Sequence, residues 1–161
     1  MMPPWLNLPD DTSPYFGFIY IIKNNHPDLP ADAKQYYIGK KQLLKRIKRK
    51  PLKGKTRNRI DFVDNNVQRY WGSSKELQEE IAKWGIEHFS RQVLEMTTSK
   101  WHAAYAELQW QLKYGVLLDP RSFNGIVNVR IGKAPASYRA HMVNMSKGVP
   151  AQSPDPIPEI P

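Results

Sequence analysis

The run Phe18-Ile19-Tyr20-Ile21-Ile22 constrains this chain more than any other stretch, because no polar residue interrupts it. Its β-branched and aromatic content is that of a strand, and a strand apolar at every position must be covered on both faces. It is therefore expected at the centre of a sheet. A second run of the same kind, Tyr36-Tyr37-Ile38-Gly39-Lys40, comes after Asn24-Asn25-His26-Pro27, which supplies turn and breaker residues. A β-hairpin is the economical reading. It would bring Tyr20 and Tyr37 from neighbouring strands toward a shared surface, either as paired functional groups or as ordinary residues of a type that strands favour.

Downstream the periodicity changes. Ser73 and Glu76 have the spacing of a capping box, Leu77, Ile81 and Trp84 recur at helical intervals, and Gly85 stops the helix. The segment from His88 to Met96, with Phe89, Val93 and Leu94 apolar among polar residues, reads as a third strand. A second helix is predicted from Ser99 to Tyr114, with Trp101, Tyr105, Leu108 and Leu112 on its buried stripe and Gly115 at its end. Glu107 lies beside that stripe and backs onto Ala103 and Ala104. Its carboxylate is placed to be half buried yet reach a cleft, or simply to stand exposed. Residues 122–131 return as an extended segment containing Asn124 and Asn128, which are equally readable as a turn and an edge residue.

These elements divide the chain into an N-terminal extension over 1–14, one domain over 15–133 with a basic insertion at 45–69, and a Pro-rich tail over 134–161. The tail lacks apolar periodicity and is expected to be disordered or draped on a partner. In the N-terminal extension Trp5, Leu6 and Leu8 are candidate anchors to the domain.

Lys and Arg number 24 against 15 Asp and Glu, a formal net charge of +9 with a pI of about 9.7. A polyanionic partner is the natural inference. The excess is concentrated, since Lys40, Lys41, Lys45, Arg46, Lys48, Arg49, Lys50, Lys53, Lys55, Arg57 and Arg59 precede the next acidic residue, Asp61. Such a tract can neutralise several phosphates and make binding strongly salt dependent. A solvated basic loop and an anionic membrane surface are the competing readings.

Cysteine is absent, which excludes disulfides and Cys-ligated metal. No apolar stretch approaches the roughly 20 residues of a membrane span, and Met1-Met2-Pro3-Pro4-Trp5 lacks the order of a signal peptide, so a soluble, intracellular (cytoplasmic) protein is expected. His26, His88, His102 and His141 form no spaced metal pair. Gly54-Lys55-Thr56 echoes a phosphate-binding loop, but Arg49 stands where that motif needs its first glycine.

Taken in order, the features resemble the GIY-YIG nucleases. Phe18-Ile19-Tyr20 stands where that family has Gly-Ile-Tyr, with Gly17 one residue earlier, and Tyr37-Ile38-Gly39 stands for Tyr-Ile-Gly. A basic helix or loop with arginine, a helix opened by Gly72-Ser73-Ser74, a strand, a helix bearing Glu107 and a closing Phe123-Asn124 follow across residues 17 to about 132. Tyr37-Ile38-Gly39-Lys40-Lys41 and Tyr70-Trp71-Gly72-Ser73-Ser74 look most like phage-encoded, Seg-like homing endonucleases.

The resemblance implies an α+β module, a three-stranded antiparallel sheet flanked by helices, that hydrolyses DNA phosphodiesters with one Mg²⁺ or Mn²⁺ ion. It implies Glu107 as the metal ligand and Tyr20 as general base or water-orienting group, with Lys40 or an arginine lowering its pKa. Tyr37 would contact the scissile phosphate or polarise Tyr20, Arg46 or Arg49 would clamp the phosphate, and Asn124 would bond Glu107 or the phosphate. Asn128 is the fallback for Asn124. The remaining cations, Lys41, Lys45, Lys48, Lys50, Lys53, Lys55, Arg57 and Arg59, are expected to bind DNA. Cutting both strands would take a homodimer or two successive events. Two further readings stay open: a nucleic-acid-binding protein on an inactive nuclease scaffold, and a scaffold or inhibitor that works through its Pro-rich ends.

Overall fold

The structure is a computed structural model that describes residues 2–127 and 130–140. Its strands are β1 (Trp5–Leu6), β2 (Gly17–Asn24), β3 (Tyr36–Gln42), β4 (Leu44–Arg49), β5 (Arg59–Asp64) and β6 (Phe89–Thr97). Its main helices are α1 (Lys75–Trp84) and α2 (Lys100–Tyr114). Residues up to Ile131 form one compact unit. In the second unit, from Gly132 onward, the described residues include a helical turn at 136–140. Asn128 and the tail beyond residue 140 lie outside the described residues.

β2 is central, as its unbroken apolar run requires. The sheet order is β1-β6-β2-β3, with β2 antiparallel to both neighbours. Phe18, Tyr20 and Ile22 face one layer, where they pack with Leu77 and Ile81 of α1, Val93, Phe89 and Trp71. Ile19 and Ile21 face the opposite layer, with Ile38, Tyr36, Val116 and Ala106 of α2. Helices thus cover both faces, and alternate residues of one strand enter two separate cores.

The sheet has four strands rather than the three expected. The extra strand is β1, whose parallel pairing places Trp5 opposite Arg91 and Leu6 opposite Gln92. Trp5 is buried and its indole donates to the Val67 carbonyl at 2.8 Å, while Leu6 is exposed. The expected basic helix or loop is instead a second sheet, the β4–β5 hairpin, continuing from β3 through the buried Leu43. Only β5 carries a period of two, with Ile60 and Phe62 two residues apart; in β4 Leu44 and Ile47 are three apart and project to opposite faces.

Three local expectations also change. The N-cap of α1 is Ser74, which accepts from the Leu77 amide, and Glu76 pairs with Lys34 at 2.8 Å rather than closing a capping box. Gly85 does terminate this helix. α2 turns Ala103, Ala106 and Gln111 inward, leaving Leu112 exposed and Tyr105 stacked on Trp101. Small side chains allow the helix axis to approach the sheet closely, and this outweighs the larger apolar residues elsewhere on its circumference. The described residues after Ser122 do not form a regular strand; a single parallel bridge joins Ser122 to Tyr36.

Arg91 of β6 ties the N-terminal arm to the segment that precedes α1. It is only 1% exposed, lies between the Trp5 and Trp71 rings at 4.7 and 4.2 Å, and donates to the carbonyls of Pro3, Gln68 and Tyr70. Burial pushes its guanidinium down to about 10. Arg91→Ala is expected to destabilise the protein by about 3 kcal/mol, because three partly buried carbonyls lose a charged donor and the buried space between the Trp5 and Trp71 rings is emptied. Arg91→Lys should recover only part of this, since an ammonium has neither the fork nor the stacking plane. Urea denaturation followed by tryptophan fluorescence measures both.

Candidate active site

β3 is the free edge of the main sheet, and its edge is closed by side chains rather than by a further strand. The Ile38 amide donates to Asn124 Oδ1 at 3.0 Å, while Asn124 Nδ2 and Gln111 Nε2 donate to the Ile38 carbonyl at 2.8 and 3.2 Å. The Asn124 carboxamide thus takes the place of a neighbouring peptide group on an otherwise unpaired edge. Its oxygen also accepts from Ser122 Oγ at 3.2 Å. These bonds direct Asn124 to the β3 backbone and not to Glu107.

On the α1 side of the sheet Tyr20 is paired with Gly39 in the hairpin register. A Cβ on Gly39 would lie 2.6 Å from the Tyr20 hydroxyl and 2.9 Å from the Tyr37 ring, so the motif glycine leaves room for both phenols to converge. Opposite Tyr20 the register with β6 shifts, since Ile19 faces Glu95 and Tyr20 faces Val93, leaving Leu94 as the extra residue. Bulges of this kind re-aim the neighbouring side chain. The Tyr20 and Tyr37 rings lie 6.2 Å apart, and the Tyr20 hydroxyl donates to Tyr70 at 3.2 Å. Lys41 sits 4.0 Å from the Tyr70 ring centroid.

Tyr20 is fully enclosed, at 0% exposure. Burial first, then the neighbouring Tyr70, Tyr37 and Glu107, push its pKa well above the ordinary value of 10.0. Tyr37 is raised as well, mainly by burial, with its hydrogen bond to Ser73 opposing the shift. Neither cation expected to activate Tyr20 does so in this arrangement. Lys40 Nζ lies on Glu107 Oε1 at 3.0 Å, and Arg46 and Arg49 stand on the β4–β5 hairpin, where Arg49 pairs with Asp61.

Glu107 and Lys40 share an open cleft of about 460 Å³ with Tyr37, Ser73, Gln111 and Asn124. Glu107 is its sole carboxylate, 17% exposed in its side chain, and no arginine lines it. One half-buried carboxylate suits a hard ion that keeps most of its waters, as Mg²⁺ does, and not a closely caged one. No cluster of three or more metal-ligating side chains exists among the described residues. The residues therefore fit a hydrated divalent ion on Glu107, at the oxygen that Lys40 now holds. A larger hollow of about 700 Å³ at the N-terminal arm is lined by Asp10, Asp11 and Asp64, which repel phosphate.

The structure thus brings Tyr37, Lys40, Glu107 and Asn124 together along residues 37–40 of β3, with Tyr20 enclosed behind them, and leaves the hairpin arginines outside the cleft. It adds Tyr70, Ser73 and Gln111, which the sequence reading did not assign to the site. Tyr70 and Ser73 were legible in part, since both belong to Tyr70-Trp71-Gly72-Ser73-Ser74. Gln111 gave no signal beyond being a polar residue one helical turn after Glu107.

A family model described as the GIY-YIG domain of endonuclease segE (SegE_GIY-YIG) matches residues 4–127. No curated protein and no solved structure gives a significant match.

Two outcomes follow from the tyrosine packing. Gly39→Ala should cost about 1–3 kcal/mol through overpacking. Combining it with Tyr20→Phe, which deletes the nearest clashing atom, should cost less than the sum, as a double-mutant cycle in urea would show. The stability of a phenol held protonated is complete below its unfolded value near 10 and is lost as pH rises through the higher folded value. Tyr20→Phe should therefore flatten the fall in stability above about pH 10, measured by denaturant midpoints across that range.

Proposed function

Since the chain belongs to the GIY-YIG nuclease family, of the Seg-like type, and carries that family's DNA endonuclease domain, we propose that it hydrolyses DNA phosphodiesters in the cleft at the free edge of β3, with the help of a divalent ion. The observation that carries this reading is the convergence of Glu107, Lys40 and Tyr37 on one open cleft in a strongly basic protein.

In this reading Glu107 holds one Mg²⁺ or Mn²⁺ ion, which when bound supplies positive charge at the reacting phosphate and acidifies a water. Lys40, released from Glu107, places its ammonium against the phosphate and stabilises charge that builds on the non-bridging oxygens. Tyr37, whose hydroxyl is shared with Ser73 at the cleft wall, orients the attacking water or the phosphate. Tyr20 stays protonated and holds Tyr37 and Tyr70 in position from behind, acting through them rather than as a direct base. Water oxygen bonds to phosphorus as its proton passes to solvent in the open cleft, the bridging P–O bond breaks, and the leaving oxygen takes a proton back from solvent water. Asn124 and Gln111 fix the strand that carries Tyr37 and Lys40. Arg46 and Arg49 contact phosphates away from the reacting one, together with Lys41, Lys45 and Lys48.

The Seg-like relationship supports a phage or mobile-element role, including homing, acting inside the infected cell. No described helix is long and apolar enough to cross a membrane. Cleavage of both strands by a single-site domain takes two copies on the DNA or two successive cuts.

Cleavage of supercoiled plasmid in Mg²⁺ and in Mn²⁺, each with and without EDTA, tests the reading. Wild-type protein should nick or linearise the plasmid only with metal, and Glu107→Gln should lose about two orders of magnitude or more in rate. Lys40→Met should lose rate while still retarding DNA in gels. Metal-independent cutting, or full activity in Glu107→Gln, would refute the site. Salt-sensitive DNA binding without cleavage would leave a binding protein on an inactive scaffold.

A further inference from the structure

The β4–β5 hairpin has two unlike faces. Directly opposed residues of an antiparallel pair project to the same side. One face therefore carries Lys45, Ile47, Arg49, Arg59, Asp61 and Val63; there Ile47 and Val63 are half buried, and Arg49 is paired with Asp61. The other carries Leu44, Arg46, Lys48, Ile60, Phe62 and Asp64. On this second face Phe62 is 63% exposed, Ile60 and Leu44 are exposed beside it, and neither Arg46 nor Lys48 forms an ion pair among the described residues. Apolar side chains this exposed on a two-stranded ribbon, interleaved with unpaired cations, mark a contact surface.

We propose that this face enters the major groove of duplex DNA, with Arg46 and Lys48 reaching phosphates or guanine edges and Phe62 and Ile60 contacting the apolar groove floor. The proposal rests on the nuclease reading and adds to it the element that grips the substrate.

Charge selects the occupant. Residues 45–59 hold nine Lys and Arg and no acidic residue, a field that favours a polyanion. A second copy docking by the same face would set Arg46 and Lys48 of each chain against one another. Groove dimensions favour one site: in undistorted B-DNA the major groove, about 12 Å wide, admits a two-stranded ribbon, while the minor groove, about 6 Å wide, must first be widened at a cost in deformation energy. Thymine methyl groups in the major groove supply the apolar partner for an aromatic side chain.

The hairpin is also fixed relative to the cleft. Leu43, between β3 and β4, is buried; its amide donates to the Phe16 carbonyl and its carbonyl accepts from the Asn65 amide. Asn65 Nδ2 donates to the Gln42 carbonyl at 3.0 Å. Arg46 follows Lys40 by six residues, at most about 20 Å of extended chain. The groove contact should therefore lie within about six base pairs of the cut, at 3.4 Å per step.

Anisotropy of a labelled duplex of about 30 base pairs, titrated with full-length protein in EDTA over about 50–300 mM salt, tests this without cleavage. Arg46→Gln/Lys48→Gln should shallow the slope of log affinity against log salt by about 1.8, at about 0.9 per phosphate contact. Phe62→Ala/Ile60→Ala should leave the slope unchanged and weaken binding about tenfold at every salt concentration, the scale of one or two lost apolar base contacts. Wild-type protein should shield guanine N7 from dimethyl sulfate beside the cut, and both variants should lose that protection. Circular dichroism and thermal melting establish that the variants are folded. Unchanged slope and affinity, protection of adenine N3 instead of guanine N7, or loss of self-association in Phe62→Ala would each overturn the proposal. Groove binding without metal-dependent cleavage would sink the nuclease reading alone, and cleavage without hairpin dependence would sink this one alone.

Discussion

Everything in this domain is organised by the burial of β2 on both faces. A strand that gives Phe18, Tyr20 and Ile22 to one core and Ile19 and Ile21 to the other must have a helix on each side and a strand on each edge. Each buried aliphatic or aromatic side chain contributes on the order of 1.5–3 kcal/mol, so no register that exposes one face competes. With that register fixed, Tyr20 is opposite Gly39, and the two phenols of the site meet without any freedom of their own.

The side chains that converge at the candidate site come from the two layers that β2 separates. Tyr20, Tyr37 and Tyr70 approach from the α1 side, while Lys40 and Glu107 meet on the α2 side, and β3 is where the layers come together. A sheet edge is the one place where both sides of a sheet are accessible from a single opening. The same edge exposes unpaired backbone, which would invite strand addition by another chain. Asn124 and Gln111 cap it at Ile38 with side-chain amides, leaving room for a cleft that a full strand would fill.

Much of this was legible in the residues. The central strand, the hairpin, the helix bearing Glu107 and the closing asparagine each had a local signal, because each depends on composition or spacing within a short window. The failures share a cause. β1 is two residues long and is held by Trp5 and Arg91, a contact across 86 positions that no window spans. The inward face of α2 is chosen by closeness of approach, so Ala103 and Ala106 prevailed over Leu112. The insertion reads as a basic loop because cations crowd β4, where Leu44 and Ile47 are three residues apart, and the only period of two is the Ile60 and Phe62 pair in β5. Asn124 was found by position, but its hydrogen bonds run to Ile38, a partner visible only once β3 is known to be an edge.

The parallel pairing of β1 with β6 has a consequence for synthesis of the chain. Trp5 is made 86 residues ahead of its partner Arg91. Until then Pro3, Gln68 and Tyr70 lack the guanidinium that joins them, and the sheet lacks the strand beside β2. Contacts of such long sequence separation form late and slowly. Glu107 and Asn124 come later still. A nascent chain therefore displays its basic hairpin, complete by Asp64, well before Glu107 and Asn124 are present to line the cleft, so the charged ribbon precedes the cleft in synthesis.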